Sequence, residues 1–205
     1  MNLNYIAIIV SSIAVIISSL TFYYHFLLKA KITLEYSNDG DYIVEDEDSS
    51  QKNRWIRIKL LCSNKYFDVS ANNLRLKMLR VEKFDKDKKH WIELKPINIF
   101  YLRWVIDNGS NPFTYIGNLA RFEPQYFNLV TLVDNNTNKL LYPGIPNQGN
   151  VVGWKPEDWF KEGFFRYTVG VYGDNIKLSK QKTKGYKICI NFTADKVTFF
   201  NNCKI

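Results

Sequence analysis

Histidine and cysteine are scarce in this chain, which contains two His and three Cys among 205 residues. Two histidines leave little material for a His-rich metal site, and three cysteines cannot form a disulfide scaffold. The cysteines also lack the C-x-x-C spacing that is typical of zinc sites. Ten Gly and six Pro are too few for a collagen or a low-complexity linker. The sequence therefore predicts a domain without a metal ion or any other cofactor.

Catalytic motifs are missing as well. The chain has no G-x-S-x-G sequence, no Cys–His signature and no phosphate-binding P-loop. His90 follows two lysines and is predicted to lie in a solvated loop. Glu157 and Asp158 follow Pro156, which is typical of the first turn of a helix. These residues predict that the protein is not an enzyme.

A long uncharged run lies near the amino terminus, from Ile6 to Leu28. A helix of this length reaches about 35 Å at ~1.5 Å per residue, which is enough to cross a hydrocarbon core of ~30 Å. Residues 1–5 form a short tail that contains no Lys or Arg, and no A-x-A cleavage pattern follows the run. These features argue against a cleaved signal peptide. The run predicts a permanent transmembrane helix over residues 6–28.

The orientation of this helix is predicted from the charges beside it. Lys29 and Lys31 follow the run, whereas only the α-amino group is available before it. Because lysines near a span prefer the cytoplasm, the large domain is predicted to be cytoplasmic. The few cysteines fit a reducing compartment. Three N-x-[ST] sequons, at Asn108, Asn135 and Asn191, are expected by chance in a chain this rich in Asn.

Residues 29–205 are predicted to form one mainly β domain. Apolar residues alternate with polar ones, as in Arg54–Cys62, where Ile56 and Ile58 share one face. The acidic stretch 38–53 is predicted to be a solvated loop with a short pairing segment at Tyr42–Val44. Turn signals separate roughly eight to ten such strands. This spacing favours an antiparallel β-sandwich or barrel, and the domain is long enough for a two-sheet core.

Three runs in this domain carry a resemblance to a known family. They are WIRIKLLCSNKYFDVSANNLRLKMLRVE, GFFRYTVGVYGDN and GYKICI. Together they resemble strands of Ig-like domains of the cell-adhesion-related bacterial and archaeal type. The resemblance implies an Ig-like β-sandwich that acts as a binding or spacer module without catalytic residues. The chain departs from antibody-type domains because Trp104 lies 42 residues after Cys62 and no Tyr precedes Cys189 by two positions.

Two sets of surface residues are candidates for contact with a membrane or a partner. Residues 54–205 carry a net charge of +12, and late lysines cluster around one loop at Lys177, Lys180, Lys182, Lys184 and Lys187. Basic side chains on the polar faces of strands predict attraction to anionic lipid headgroups. These residues are Arg57, Lys59, Arg75 and Lys77. Their alternative interpretation is a solvated basic face, and no motif supports a nucleic-acid partner.

An aromatic segment supplies the second set. Trp154 and Trp159 lie close to further aromatic residues just before Gly163. Trp is a favoured anchor residue at protein interfaces, so this segment predicts a partner contact. The alternative is a short helical cover that closes one end of the sandwich.

The leading functional prediction is a single-pass membrane protein that presents a β-sandwich binding or assembly module for an unknown ligand. A second hypothesis is an accessory subunit of a larger membrane complex, such as a defence or transport assembly. In that case the helix would also pack against partner subunits. An enzyme is the third and weakest hypothesis.

Overall fold

The computed structural model describes residues 3–24, 28–40, 42–46, 52–62, 69–94, 100–102, 104–105, 115–120, 123–135, 138–143, 162–177, 185–193, 196–200 and 203. Within these ranges the chain forms one long apolar helix followed by strands. The elements are α1 (Leu3–Phe22), β1 (Ala30–Glu35), β2 (Ile43–Asp46), β3 (Lys52–Cys62), β4 (Ala71–Asp85), β5 (His90–Glu93), β6 (Phe100–Tyr101), β7 (Trp104–Val105), β8 (Tyr115–Leu119), β9 (Gln125–Asn135), β10 (Asn138–Pro143), β11 (Gly163–Asp174), β12 (Ile176–Lys177), β13 (Tyr186–Phe192) and β14 (Val197–Phe200).

Helix α1 is long and apolar enough to cross a membrane, and none of its span Asn4–Phe22 is buried against the domain. Two of its hydroxyl groups bond to carbonyls of the helix itself. Ser12 Oγ donates to the Ile8 carbonyl at 2.9 Å, and Thr21 Oγ1 donates to the Ile17 carbonyl at 2.8 Å. Bonds of this i to i−4 type remove the cost of placing a hydroxyl in hydrocarbon. The helix therefore presents a surface that is compatible with lipid on all sides.

The strands form two sheets of seven strands each. The first sheet has the order β10-β9-β3-β1-β12, with β2 on β3 and β7 on β9. The second has the order β14-β13-β11-β4-β5, with β6 and β8 on β4. The prediction of a mainly β domain is confirmed. The described pairs are antiparallel except β1 with β12, which is parallel. Strand β2 (Ile43–Asp46) pairs with β3 and overlaps the short pairing segment that was predicted at Tyr42–Val44 within the acidic stretch.

Both sheets contribute to one hydrophobic core. Alternate residues of β3, such as Ile56 and Ile58, are fully buried together with Phe165 and Tyr167 of β11. In β4 the pairing with β11 skips Leu79, since Val169 pairs with Met78 and Thr168 pairs with Arg80. A bulge of this kind shifts the alternation by one residue. The buried face of β4 therefore passes from Leu74, Leu76 and Met78 to Val81.

Direct hydrogen bonds join the two sheets. Tyr186 on β13 donates its hydroxyl to the Ile32 carbonyl on β1 at 3.0 Å. Asn38 lies between β1 and β2 and reaches the edge of the other sheet. Its amide donates to the Phe199 carbonyl at 3.1 Å and accepts the Phe199 N–H at 2.6 Å. Asn38 therefore makes the two backbone hydrogen bonds that a neighbouring strand would make to Phe199. These bonds protect part of the exposed sheet edge along β14.

The domain has two distinct ends along its strands. At the helix-proximal end, β1, β4 and β9 begin and β3 and β11 end. This arrangement follows from the pairs Ile32–Cys62, Leu60–Gln125 and Asn72–Asp174. The helix-distal end contains the tips of the β4–β5, β9–β10 and β13–β14 hairpins. Residues at opposite ends of the long strand β4 are separated by roughly 45 Å of extended chain.

Candidate membrane interface

Helix α1 ends at Phe22 and β1 begins at Ala30, and residues 25–27 between them lie outside the described residues. The Leu28 N–H donates to the Tyr23 carbonyl at 3.0 Å. Two residues later, the Ala30 N–H donates to the Asn175 carbonyl at 2.7 Å as β1 begins. Leu28 also packs against the domain core. Leu28 therefore contacts both the residue that follows α1 and the core of the domain.

Lysines are concentrated at this junction. Lys31 of β1 pairs in register with Lys177 of β12, although 146 positions separate them in the sequence. Lys29, Lys31 and Lys177 are all exposed. Paired residues on adjacent strands lie about 4.8 Å apart and project from the same face. The two neighbouring residues Ala30 and Ile32 are buried, so the face that carries Lys31 is the outer one.

Acidic residues are also present at the helix-proximal end. Asp174 is exposed and accepts a hydrogen bond from the Asn73 side-chain amide at 2.6 Å. Glu123 is exposed just before β9, which lies two strands away from β1 in the first sheet. The three lysines lie on or beside the β1–β12 pair, whereas Asp174 ends β11 and Glu123 precedes β9.

The four cations predicted to face a membrane lie on two different sheets. Arg57 and Lys59 lie on β3 in the first sheet, whereas Arg75 and Lys77 lie on β4 in the second. Both strands bury their apolar faces in the shared core. The membrane contact predicted for these four residues stays a prediction.

Several of these cations have local partners. Lys59 Nζ lies 2.8 Å from Glu35 Oε2 and 5.9 Å from the centre of the Tyr42 ring. The hydrogen bond to Glu35 raises the pKa of the Lys59 ammonium above its ordinary value. Lys77 Nζ lies 5.6 Å from the centre of the Tyr172 ring, a cation–π distance. Arg57 is half-buried, and Arg75 is exposed. These contacts favour a structural role for Lys59 and Lys77.

The aromatic segment lies outside the described residues. Trp154, Trp159 and the late lysines Lys180, Lys182 and Lys184 fall in the ranges 144–161 and 178–184. The partner contact predicted for the two tryptophans therefore stays a prediction.

A buried ion pair lies on the outer face of the second sheet. Arg166 of β11 makes two bonds of 2.6 Å to the Glu82 carboxylate of β4, and both side chains are mostly buried. The Trp91 ring stacks on the guanidinium, whose carbon lies 4.5 Å from the ring centre. Sequence analysis gave no signal for this pair, because the register between the two strands brings the charges together. Its fork-like geometry is typical of a structural bidentate pair.

Two of the three cysteines are joined. Cys189 on β13 forms a disulfide with Cys203, 14 positions later, and Cys62 is a buried free thiol. The Cys62 thiol donates to the Val69 carbonyl at 3.1 Å. Cys189 lies buried on a strand, and the fold brings Cys203 within bonding distance of its sulfur.

A cleft of about 430 Å³ lies at the helix-distal end, between the β4–β5 hairpin and Glu162. The charged groups along it have local roles. Lys83 and Lys86 place their ammonium groups over the rings of Phe165 and Phe164, at 5.5 and 5.8 Å. The Asp85 carboxylate accepts the N–H groups of Lys88 and Asp87, and these bonds lower its pKa. Three of the described charged residues along the cleft, Lys83, Lys86 and Asp85, are therefore engaged in local contacts.

Metal-binding groups are likewise missing from the part of the chain that the structure describes, where no three His, Cys, Asp or Glu residues cluster. Comparison with known proteins gives no match: no protein-family model, no curated protein and no solved structure resembles the chain.

Proposed function

We propose that this chain is a single-pass membrane protein that holds a two-sheet binding or assembly module directly on the membrane. The observation that carries the proposal is helix α1, which is long and apolar enough to cross a membrane and is not buried against the domain. Strand β1 begins at Ala30, eight positions after the helix ends at Phe22. So short a separation keeps the domain near the membrane surface that the helix leaves.

The Ig-like resemblance supports a binding role rather than a catalytic one. Two sheets around one core, joined by hairpins, are the architecture that such modules share. Loops at one end of a sandwich are where many such domains bind their partners. In this chain the corresponding surface is the helix-distal end. We place the partner-binding surface there and assign no catalytic step to the protein.

Cysteine chemistry favours an oxidising compartment for the domain. Disulfides such as Cys189–Cys203 persist outside the cytosol and are rare within it. The opposite expectation rested on Lys29 and Lys31 and on the small number of cysteines; two charges are a small bias on topology, and two of the three cysteines are joined. We therefore propose that the amino terminus is cytoplasmic and that the domain lies on the other side of the membrane.

Extraction with alkaline carbonate tests the membrane anchor. The full-length chain should stay in the membrane pellet after the wash. A variant with Ile9→Lys and Ile16→Lys should be released, because each lysine in the span costs about 2.5–3.5 kcal/mol. Release of the unmodified chain into the supernatant would overturn the proposal.

Crosslinking in native membranes tests the binding module and separates it from the alternative of a complex subunit. A module should capture the same discrete partner when α1 is replaced by an unrelated apolar span of equal length. A subunit whose helix packs against partners should lose that partner in the replaced chain. Failure of both chains to give any discrete crosslinked species would remove the basis for a binding role.

A further inference from the structure

We infer that the outer edge of β5 binds an extended, acidic segment of a partner protein, which joins the second sheet as an additional strand. One apolar side chain of that segment fills the cleft beside β5. This inference rests on the proposed binding role and names the surface, the kind of partner and the mode of binding. Strand addition to a sheet edge is a general way in which proteins bind extended peptides.

The first step is the backbone of β5, which is the last strand at one end of the second sheet. The Leu94 N–H donates to the Val81 carbonyl of the β4 side at 3.0 Å. Because the backbone groups of successive residues face opposite sides of an antiparallel strand, those of Trp91 and Glu93 face away from β4. Among the described residues, no strand pairs with this side of β5. An added strand can therefore bond to the N–H and carbonyl groups of both residues.

The second step is the cleft of about 430 Å³ beside this edge. Phe84, Ile92 and Leu94 form its apolar lining, and Ile92 is 39% exposed. The volume falls within the range of about 300–1,000 Å³ that is usual for binding sites. An added strand projects every second side chain to the side of the sheet that carries Ile92. The partner residue opposite Ile92 therefore enters the cleft, and an apolar side chain fits its lining.

The third step is the charge at the tip of the β4–β5 hairpin. Three lysines are exposed there, Lys86, Lys88 and Lys89, against one exposed carboxylate, Asp87. Glu162 is exposed on the opposite wall of the cleft. Charge complementarity therefore favours acidic residues at the end of the partner segment that lies near the hairpin tip, and apolar residues near Glu162.

The opposite edge of the same sheet is protected, which makes β5 the better site. At β14 the side chain of Asn38 already bonds to the N–H and the carbonyl of Phe199. Edge strands are commonly covered in such ways because an open edge pairs with other chains. The structure shows no equivalent bond from a described residue to the outer side of β5. Pairing with a partner strand therefore remains available at β5.

Fluorescence anisotropy of labelled peptides tests the inference on the full chain in mild detergent. A short peptide of alternating Val and Glu should bind saturably, and more weakly as the salt concentration rises. A Val/Lys peptide lacks the complementary charge, and a Ser/Glu peptide lacks the apolar side chain for the cleft. Both should bind about tenfold more weakly. Equal binding of the three peptides, or no saturable binding of the Val/Glu peptide, would overturn the inference.

Two variants at one position test the backbone contact. Glu93→Pro removes an N–H that faces away from β4, and its ring hinders the approach of another strand. Glu93→Ala is the matched control, because it removes the same carboxylate and keeps the N–H. The Pro variant should bind the Val/Glu peptide about tenfold more weakly than the Ala variant, which is the upper range for one hydrogen bond. Equal affinities would show that the edge is not the site.

A variant of the cleft gives a second measurement in case proline disturbs the strand. Ile92→Asp changes a partly exposed side chain at the mouth of the cleft, so the fold should tolerate it. This variant should also bind the Val/Glu peptide about tenfold more weakly than the unmodified chain. Unchanged affinity would contradict the role of the cleft and overturn the inference.

Crosslinking in native membranes separates this inference from the proposed function. If the Glu93→Pro and Glu93→Ala chains capture the same partner equally, the module binds elsewhere and only the β5 site is wrong. If the Ala chain dimerises in detergent and the Pro chain does not, the edge joins two copies, and the inference of a different partner is wrong. If neither chain captures a partner, the binding role is wrong, and the β5 site falls with it.

Discussion

The ion pair between Arg166 and Glu82 allows a sharp test of the fold. Replacing Arg166 with Met leaves the Glu82 carboxylate, whose side chain is 7% exposed, without its guanidinium partner. Both bonds of 2.6 Å are lost, together with the stacking on Trp91. Removing one partner of a buried pair costs about 3–5 kcal/mol, because the remaining charge is left without compensation. We expect a loss of this size in the free energy of unfolding.

A double variant distinguishes the cost of an unpaired buried charge from the effect of burying these two side chains. Replacing Arg166 with Met and Glu82 with Leu removes both charges and leaves apolar side chains of similar shape. The double variant should be close to the unmodified chain in stability, because apolar replacement of a buried pair is often neutral or stabilising. A control is Arg80→Met, since Arg80 lies 3.4 Å from Glu93 and both side chains are about half exposed. That exposed pair should contribute at most about 1 kcal/mol.

The assay is denaturant unfolding of the full-length chain in mild detergent, followed by tryptophan fluorescence. A domain of ordinary stability, about 5–15 kcal/mol, remains folded enough to measure after these changes. The reasoning would be refuted by a loss below about 1 kcal/mol for Arg166→Met. It would also be refuted if the double variant lost as much stability as Arg166→Met and Glu82→Leu do together.

Three further predictions concern other parts of the domain. Alkylation of the unfolded chain from membranes should find one thiol before reduction and three after it; three thiols before reduction would contradict the disulfide and the proposed orientation. Cys203→Ser should lower the free energy of unfolding by about 3 kcal/mol, as expected for a closed loop of this length. Tyr167→Phe should stabilise the domain by about 1–3 kcal/mol in the same unfolding assay, since the buried hydroxyl has no hydrogen-bond partner among the described residues. A less stable Phe variant would contradict this. Burial raises the pKa of Tyr167, so the neutral hydroxyl is favoured in the folded state. The free energy of unfolding should therefore fall as the pH rises above ~10, where this hydroxyl ionises in the unfolded chain. The Phe variant should lose less stability over the same pH range. Asn38→Ala should reduce hydrogen-exchange protection of the Phe199 amide, and unchanged protection would mean that Asn38 does not hold the β14 edge.

The sequence by itself determined the features that depend on local pattern. An uncharged run of apolar residues predicts a spanning helix, because its length and composition alone decide whether it can cross hydrocarbon. Alternation in Arg54–Cys62 predicted strand β3 and its buried face, since side chains of a strand point to opposite sides in turn. The mainly β class followed from the repetition of such segments.

Register and chain connectivity in space decided the rest. The sequence could assign Arg57 and Arg75 to polar faces, but it could not show that those faces belong to two different sheets around one core. Local alternation also predicted nothing about the bulge at Leu79, which shifts the buried face of β4 by one residue. Each of these features depends on the partner strand, and the pattern of a single strand does not contain the register of its neighbour.

The same reason explains the charged and sulfur contacts. Arg166 meets Glu82, Lys31 meets Lys177 and Cys189 meets Cys203 only after the strands have paired and packed. Each residue taken alone looks like an ordinary polar or small position of a strand. Long-range contacts arise from the summed burial of the whole core, so the tertiary structure decided where this protein places its buried ion pair, its lysine pair and its disulfide.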